Sequence, residues 1–313
     1  MISVIICSIN PQLLTEVKQN IAETIGVPFE VIAIDNRNTT AGICEVYNRG
    51  VAQARFELLC FMHEDIIIQT KSWGTIVSDL LKIETGIGLI GVAGSYYKPL
   101  IPSSWNGTSK ETECIYIMQG SKQQGPGEFL LHNTNPLGKN QVEVASVDGV
   151  WLCTTKAIAL ANAFDADTLK GFHCYDIDFS LSVGRSHKVI VTYEILLAHL
   201  SDGNFDRTWL IETLKLHDKW KAYLPVLRGE LSMQKRNYIE KYTFRHLLRL
   251  FKDCNLPISY LRKMLWQPAY FKSLPVKLWI NMNFHLYKFH KNTSKSTDYR
   301  PLNDKELERL TNL

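Results

Sequence analysis

Three adjacent polar residues, His63-Glu64-Asp65, stand between the apolar runs Leu58–Met62 and Ile66–Ile68. Burying an imidazole and two carboxylates without partners is costly, so this pattern indicates a site in which they are compensated. In an extended segment side chains alternate, which places His63 and Asp65 on one side. Imidazole and carboxylate together suit a divalent cation, Mg²⁺ or Mn²⁺, bridging a diphosphate. The alternative is a simple turn at a strand end.

A second group consists of two carboxylates two residues apart, Asp176 and Asp178, where a helix is expected to begin. Free amides and the helix dipole stabilise negative charge at such a terminus. Capping requires only one carboxylate, so the pattern makes one of the two a candidate general base.

Single polar residues follow other apolar runs. They are Ser8 and Asn10 after the first run, Asp35 after the second, and His199 after a later one. In open parallel α/β sheets, ligands bind outside the carboxyl ends of the strands. Each residue alone is explained by a turn or a structural histidine, but together they predict a binding crevice, with His199 a candidate second metal ligand.

The elements that must position these residues follow from hydrophobic periodicity. Over the first hundred residues the pattern predicts a βαβαβαβ order, typical of a parallel sheet covered by helices on both faces. The predicted strands are 3–7, 29–34, 58–62 and 87–93, and the predicted helices are 12–25, 41–54 and 72–83. Residues 95–145 are predicted to form an irregular insertion with one strand. The segment 206–290 is predicted to be helical.

One glycine motif, Gly86 to Gly91, matches G-x-G-x-x-G. The dinucleotide fingerprint follows a strand and opens a helix. Here the motif follows a predicted helix and forms a strand itself, which argues against a nicotinamide or flavin site.

The 313 residues have a net charge of +4 that is unevenly distributed. Residues 1–218 contain 16 basic and 24 acidic residues, whereas residues 219–300 contain 17 basic and 4 acidic ones. We therefore expect two domains, an acidic body at 1–218 and a basic helical region at 219–313, that meet different partners.

The seven cysteines are odd in number and widely spaced, which favours reduced thiols over a disulfide framework. The N-terminus lacks the pattern of a secretory signal. The sequence also has no run of about 18 apolar residues, the length needed to span a membrane. These patterns predict a cytoplasmic protein.

Seven short motifs occur in order along the first two thirds of the chain. They are Ser3 to Ser8 with Asn10, Ile34-Asp35-Asn36, Ala41-Gly42-Ile43, Tyr47-Asn48-Arg49-Gly50, His63-Glu64-Asp65, Val147-Asp148-Gly149 and Tyr175-Asp176-Ile177-Asp178. Taken in their order and spacing, they resemble inverting glycosyltransferases of family 2, which have the GT-A fold. The resemblance covers roughly residues 2–220.

The resemblance implies a role for each matching residue. Ser8, Asn10 and Asp35 would line a nucleoside pocket. Asn48 or Arg49 would lie near the phosphates, and Asp148 would lie on the acceptor side. His63-Glu64-Asp65 occupies the D-x-D position of the donor site, with Asp65 on the metal and His199 a further ligand. Asp176 falls on the catalytic carboxylate. His63 stands where many members have an acid, and Tyr175 where many have Glu.

The implied reaction is transfer of a single sugar from a nucleoside-diphosphate sugar to a glycan or lipid-linked acceptor, as in polysaccharide biosynthesis. A processive polymerase is not favoured, because no Q-x-x-R-W signature is present. Trp151 and Trp105 are candidates to stack on sugar rings, and the alternative for both is packing.

The basic region has two interpretations that the sequence leaves open. Its aromatic and basic residues interleave as in a helix lying on an anionic membrane, or as in a helical subdomain that packs on the body or on a second subunit. The apolar residues concerned are Phe244, Leu247, Leu248, Leu250, Phe251, Leu261, Met264, Leu265 and Trp266. No nucleic-acid-binding motif accompanies the charge, so nucleic acid is not an expected partner.

Two other classes compete with a glycosyltransferase. A nucleotidyltransferase needs a Gly-rich basic loop after the first strand, which the segment from Ser8 to Pro11 does not provide. A non-catalytic sugar-nucleotide or glycan-binding module would lack a working base at Asp176.

Overall fold

The computed structural model describes residues 1–83, 86–107, 109–120, 128–200, 203 and 205–293. The last part of the basic region, 294–300, and the acidic segment 301–313 lie outside the described residues.

The chain divides into two compact units. The first unit comprises Met1–Tyr96 and Glu111–Asn204, and the second comprises Tyr97–Lys110 and Phe205–Leu313. This division differs from the expected one at 218/219, because a segment from the middle of the chain and the helix that begins at Arg207 belong to the second unit.

The strands and helices alternate through the first unit, and helices dominate the second. The strands are β1 Ile2–Ser8, β2 Phe29–Asp35, β3 Leu58–Met62, β4 Ile66–Ile68, β5 Ile87–Gly91, β6 Ala93–Ser95, β7 Tyr97–Lys98, β8 Glu113–Gly120, β9 Phe129–Thr134, β10 Gln141–Glu143, β11 Ser146–Val147, β12 Trp151–Thr155, β13 Lys188–Thr192, β14 Leu197–His199 and β15 Val226–Leu227. The helices are α1 Pro11–Thr24, α2 Ile43–Gln53, α3 Trp73–Ile83, α4 Lys156–Ala161, α5 Tyr175–Val183, α6 Arg207–Trp220, α7 Met233–Asp253, α8 Ile258–Leu265, α9 Pro268–Ser273 and α10 Val276–Thr293.

The larger sheet of the first unit has seven strands in the order β10-β13-β5-β12-β3-β1-β2. β1 pairs in parallel with β2 and β3, and β13 with β5, as the βαβ pattern predicted. β12 is antiparallel to β3 and β5, and β10 is antiparallel to β13, so the sheet is mixed. β1, β3 and β5 are almost wholly buried, in accordance with their continuous apolar sequences.

The smaller sheet runs β11-β6-β8-β14-β4, with β9 paired to β8. The predicted strand 87–93 is interrupted at Val92, so that β5 and β6 belong to different sheets. The one strand predicted in the insertion, at 114–118, is β8. The prediction of an irregular segment after it was wrong for β9, which forms a six-residue antiparallel ladder with β8. β14 pairs with β8 on one side and with β4 on the other. The pairing with β4 sets the position of His199.

The second unit is mainly helical and has a buried polar network. The ammonium of Lys98 donates to the backbone oxygen of Ser103 at 2.8 Å and lies 3.0 Å from Nε2 of His217. The carboxylate of Glu240 accepts from Tyr97 Oη at 2.7 Å and from the backbone N–H of Leu100 at 2.9 Å.

Most of the apolar residues that suggested a membrane-lying helix are buried. Among the candidates of α7 and α8, only Leu250 and Trp266 are not buried. The buried members are Phe244, Leu247, Leu248, Phe251, Leu261, Met264 and Leu265. Packing therefore accounts for these side chains. No helix in the described part of the chain has the length and apolar character required to span a membrane.

Candidate active site

The corner between β3 and β4 carries His63, Glu64 and Asp65, and β14 brings His199 beside it. β14 pairs antiparallel with β4, with His199 opposite Ile66. As a result, Nε2 of His199 lies 3.6 Å from Oδ1 of Asp65, and Nδ1 of His63 lies 3.9 Å from the same oxygen. Within the described residues, these three side chains form a cluster with ligand atoms within 4.8 Å of one another.

The tautomer of His63 follows from Tyr175. The Tyr175 hydroxyl donates to the backbone oxygen of Gly149 at 3.0 Å and lies 2.8 Å from Nε2 of His63. Since the single hydroxyl proton is used on Gly149, Nε2 of His63 must supply the proton of the second bond. The lone pair of His63 is therefore on Nδ1, the nitrogen nearer to Asp65.

His63, Asp65 and His199 are suitable ligands for a divalent cation. Nε2 of His199 is buried and has no hydrogen-bond partner among the described residues, although a buried polar atom normally has one. Burial and the neighbouring His199 lower the pKa of His63. Burial acts to raise the pKa of Asp65, but the two histidines lower it overall. Neutral imidazoles and an ionised carboxylate are the protonation states that bind a metal.

Glu64 points away from this cluster and organises the loop between β1 and α1. Its carboxylate accepts from Ser8 Oγ at 2.6 Å and from the backbone N–H groups of Ile9 and Asn10 at 3.0 and 2.8 Å. Asn10 in turn caps α1 through its side-chain oxygen. Glu64 and Ser8 therefore hold the shape of this loop, and their side-chain oxygens are not open to a donor nucleotide.

Asp35 lies next to Ser8 across the parallel β1–β2 pair and is exposed. Its carboxylate forms an ion pair with Arg37 at 2.5 Å. This side-chain contact and the backbone N–H of Arg37 lower the pKa of Asp35 to about 2. An ionised, exposed carboxylate at this strand end is available to hydroxyl groups of a ligand.

Asn48 and Arg49, the two alternatives for the phosphate side, have different surroundings. Both ends of the Asn48 amide bond the backbone of Phe164, at 2.7 and 3.0 Å. Asn48 therefore anchors α2 to the loop after α4. Arg49 is exposed.

The turn between β11 and β12 lies at the end of β3 and receives Asp176. The backbone N–H of His63 bonds the oxygen of Val150 at 3.1 Å. Asp176 accepts from the backbone N–H of Gly149 at 2.9 Å and from that of Ile177 at 2.9 Å. Burial, followed by the negative charge of Asp148, raises the pKa of Asp176 to about 7. A carboxyl with this pKa is suited to proton transfer near neutral pH.

Asp178, the other carboxylate of α5, is buried. Asp176 is partly exposed. Of the two carboxylates, Asp176 is therefore the more accessible one.

For Trp151, a candidate to bind the acceptor by stacking on a sugar ring, the structure favours the packing alternative. Its side chain is 0% exposed and packs edge-on against Trp73 at 5.8 Å between ring centroids, within the core of the first unit. Trp105 belongs to the second unit and is partly exposed.

The structure adds Tyr175 and Gly149 to the site. A Cβ atom at position 149 would overlap the Tyr175 hydroxyl, so this glycine makes room for the bond to His63. Cys174, just before Tyr175, has φ +65°, a left-handed conformation that is strained for a residue other than glycine. His63 and Tyr175, which both depart from the family pattern, are thus in direct contact. The departure at position 175 was the only signal for Tyr175 in the sequence.

Comparison with protein families agrees with this arrangement. Residues 3–224 match the family described as glycosyltransferase like family. The chain belongs to this glycosyltransferase-like family, which confirms the family 2 resemblance and, with the helix-flanked sheet, the expected GT-A-type α/β fold. By family it is a transferase enzyme. No curated protein sequence matches the chain.

Several solved structures are similar to this chain at low sequence identity. Residues 1–349 of TarS from S. aureus are 14% identical, with a TM-score of 0.46 over 92% of this chain and 80% of that chain. The mannosyltransferase PcManGT from Pyrobaculum calidifontis, in complex with GDP-Man and Mn²⁺, is 12% identical, with a TM-score of 0.46 over 94% and 88%. GalNAc-T7 with UDP, GalNAc and Mn²⁺ is 12% identical, with a TM-score of 0.48 over 93% and 57%.

Proposed function

We propose that this protein is an inverting glycosyltransferase that transfers a single sugar from a nucleoside-diphosphate sugar to a glycan or lipid-linked acceptor. The observation that carries the proposal is the contact that links the candidate metal ligands to the candidate general base. His63 of the His–Asp–His cluster bonds Tyr175 at 2.8 Å, and Tyr175 is followed directly by Asp176, the carboxyl whose pKa is raised to about 7.

His63, Asp65 and His199 would hold the divalent cation, Mn²⁺ or Mg²⁺. When bound, such a cation offsets the negative charge of the departing nucleoside diphosphate. Tyr175 keeps the Nδ1 lone pair of His63 directed toward this position through its bond to Nε2. On the donor side, Asp35 would bind the nucleoside and Arg49 the phosphates.

Asp176 would act as the general base. Its carboxylate accepts the proton of the acceptor hydroxyl while that oxygen forms a bond to the anomeric carbon. The bond from the same carbon to the phosphate oxygen breaks, its electron pair leaves with the nucleoside diphosphate, and the anomeric configuration inverts. Asp148 favours uptake of the proton by Asp176 through its negative charge, and it would lie on the acceptor side.

The test separates donor binding from transfer. UDP- and GDP-sugars are screened for thermal stabilisation of the full chain with and without Mn²⁺, and nucleoside diphosphate release is then followed with candidate acceptors. Asp65→Ala should lose the stabilisation by Mn²⁺ and by the donor. Asp176→Asn should keep donor binding while transfer falls at least about 100-fold.

Asp178→Asn is the matched control, because Asp178 is on the same helix but buried. It should keep transfer far above the level of Asp176→Asn. Full transfer activity of Asp176→Asn would remove Asp176 as the base, and donor binding without turnover in the wild type would indicate a binding module.

A lipid-linked acceptor would lie at a membrane. We propose that the basic region 219–300 is attracted to the anionic inner face of that membrane and that the protein works in the cytoplasm as a peripheral membrane protein.

A further inference from the structure

The outer face of α10 carries an unusual concentration of exposed apolar side chains. Val276, Ile280, Phe284 and Tyr287, here called the α10 stripe, are between 51% and 66% exposed. Their spacing of four, four and three residues places them on one side of the helix. Leu278, Met282 and Leu286 on the opposite side are buried. The stripe is therefore an apolar face in addition to the one with which α10 packs.

Aromatic residues continue this surface at one end of α10. Trp266 and Phe271 are 60% and 50% exposed, and both contact Trp279 of α10, with ring centroids 4.7 and 5.4 Å apart. Trp and Tyr side chains with one apolar and one polar end are suited to a boundary between lipid and water.

The charge around the stripe has one sign. Residues 254–293 contain six lysines and arginines and no Asp or Glu. Lys277 and Lys288 are exposed and flank the stripe on the side of α7, and Nζ of Lys288 lies 4.5 Å from the centre of the Phe284 ring. This contact of the ammonium with the exposed Phe284 ring places a positive charge at the edge of the stripe.

A basic cavity lies beside this flank. It has a volume of about 210 Å³ between α7 and α10, and Arg245, Arg249, His285 and Lys288 line it. Burial, followed by the charges of Arg245, Lys241 and Lys288, lowers the pKa of His285. Cations crowded in this way attract an anion.

We propose that the α10 stripe and its basic flank bind the surface of a membrane that contains anionic phospholipids. The inference rests on the proposed function and gives its membrane partner a defined surface. It differs from the sequence expectation, which rested on apolar residues that are mostly buried. The apolar stripe inserts into the boundary between lipid and water. Lys277, Lys288 and the basic residues of the cavity attract lipid phosphates. In a symmetric contact, the stripe of a second copy would bring the same positive charge and would be repelled.

The experiment is sedimentation of the full chain with vesicles of phosphatidylcholine alone or with about 30% phosphatidylglycerol, a surface that attracts basic residues. We expect binding to the anionic vesicles only, and loss of it at high salt. Lys277→Glu with Lys288→Glu should reduce the partition coefficient at least about tenfold. Ile280→Ser with Phe284→Ser should reduce it by a similar factor.

Two controls in the first unit match these changes. Leu160→Ser replaces an apolar side chain that is 61% exposed, and Lys18→Glu reverses an exposed charge. Both should bind vesicles as the wild type does. Equal binding to neutral and anionic vesicles, or unchanged binding of both double variants, would overturn the proposal.

A dimer detected by light scattering without lipid, and dissociated by Ile280→Ser with Phe284→Ser, would assign the stripe to a second copy instead. Donor stabilisation is measured separately in solution, so a failure of membrane binding is distinct from a failure of the proposed transferase function.

Discussion

The carboxyl of Asp176 should make the stability of the metal-free protein depend on pH in a way that one substitution removes. Its pKa rises from an ordinary 3.8 to about 7, through burial first and Asp148 second. Between these values the folded chain holds one proton more than the unfolded chain. The free energy of unfolding therefore falls as pH rises through this window. The shift corresponds to at most about 4 kcal/mol, lost in full above about pH 7.

Urea unfolding in the presence of a chelator, from about pH 4 to pH 8, measures this effect in the wild type and in Asp176→Asn. The asparagine has one acceptor oxygen for the two N–H groups of Gly149 and Ile177, which costs about 1 to 3 kcal/mol at every pH. The informative quantity is therefore the change with pH in the difference between the two proteins. We expect the variant to gain about 2 to 4 kcal/mol relative to the wild type across this range.

Asp35→Asn is the control, because the folded pKa of Asp35, about 2, and its ordinary value of 3.8 both lie below most of this range. It should leave the pH dependence above about pH 5 unchanged. Asp148→Asn should reduce the effect in part, since one cause of the raised pKa is removed. A constant difference between wild type and Asp176→Asn from pH 4 to pH 8 would refute the reasoning, because it would mean that this carboxyl has the same pKa in the folded and unfolded chains.

The remaining predictions concern positioning and packing. Tyr175→Phe should lower the affinity for Mn²⁺ by about 10- to 100-fold by calorimetry, because His63 loses the group that sets its tautomer; unchanged affinity would contradict this. Glu240→Ala should destabilise the chain by about 3 to 5 kcal/mol in urea unfolding, since it leaves buried donors without an acceptor. Asn48→Ala should cost about 1 to 3 kcal/mol through the lost bonds to Phe164, without affecting Mn²⁺ binding.

The order of strands and helices in the first unit was predictable because hydrophobic periodicity is local information. β1, β2 and β3 begin and end within one residue of their predicted bounds. The residues after β3 were also recognisable as a site, since polar side chains in an apolar run need compensation. The roles of neighbouring residues were not separable in this way. Glu64 belongs to the loop after β1, while His63 and Asp65 belong to the metal cluster.

Exposure in the second unit was likewise not readable from the sequence. The residues of α7 and α8 that looked suited to a membrane are mostly buried, and the exposed stripe is on α10. Each helix has apolar residues on more than one side, so its pattern alone does not identify the face that packs.

The sequence by itself determined the α/β class, the strand-end positions of the candidate residues and the charge division between the two parts of the chain. Tertiary structure alone decided which of these residues act together. His63 and Tyr175 are 112 positions apart, Ser8 and Glu64 are 56 apart, and Asp176 reaches Gly149 across 27. Such contacts depend on the pairing of β3 with β12 and of β4 with β14, and strand register is set by packing of the whole sheet. The physical reason is that periodicity reports the face on which a side chain lies, whereas a hydrogen bond requires the distance to its partner.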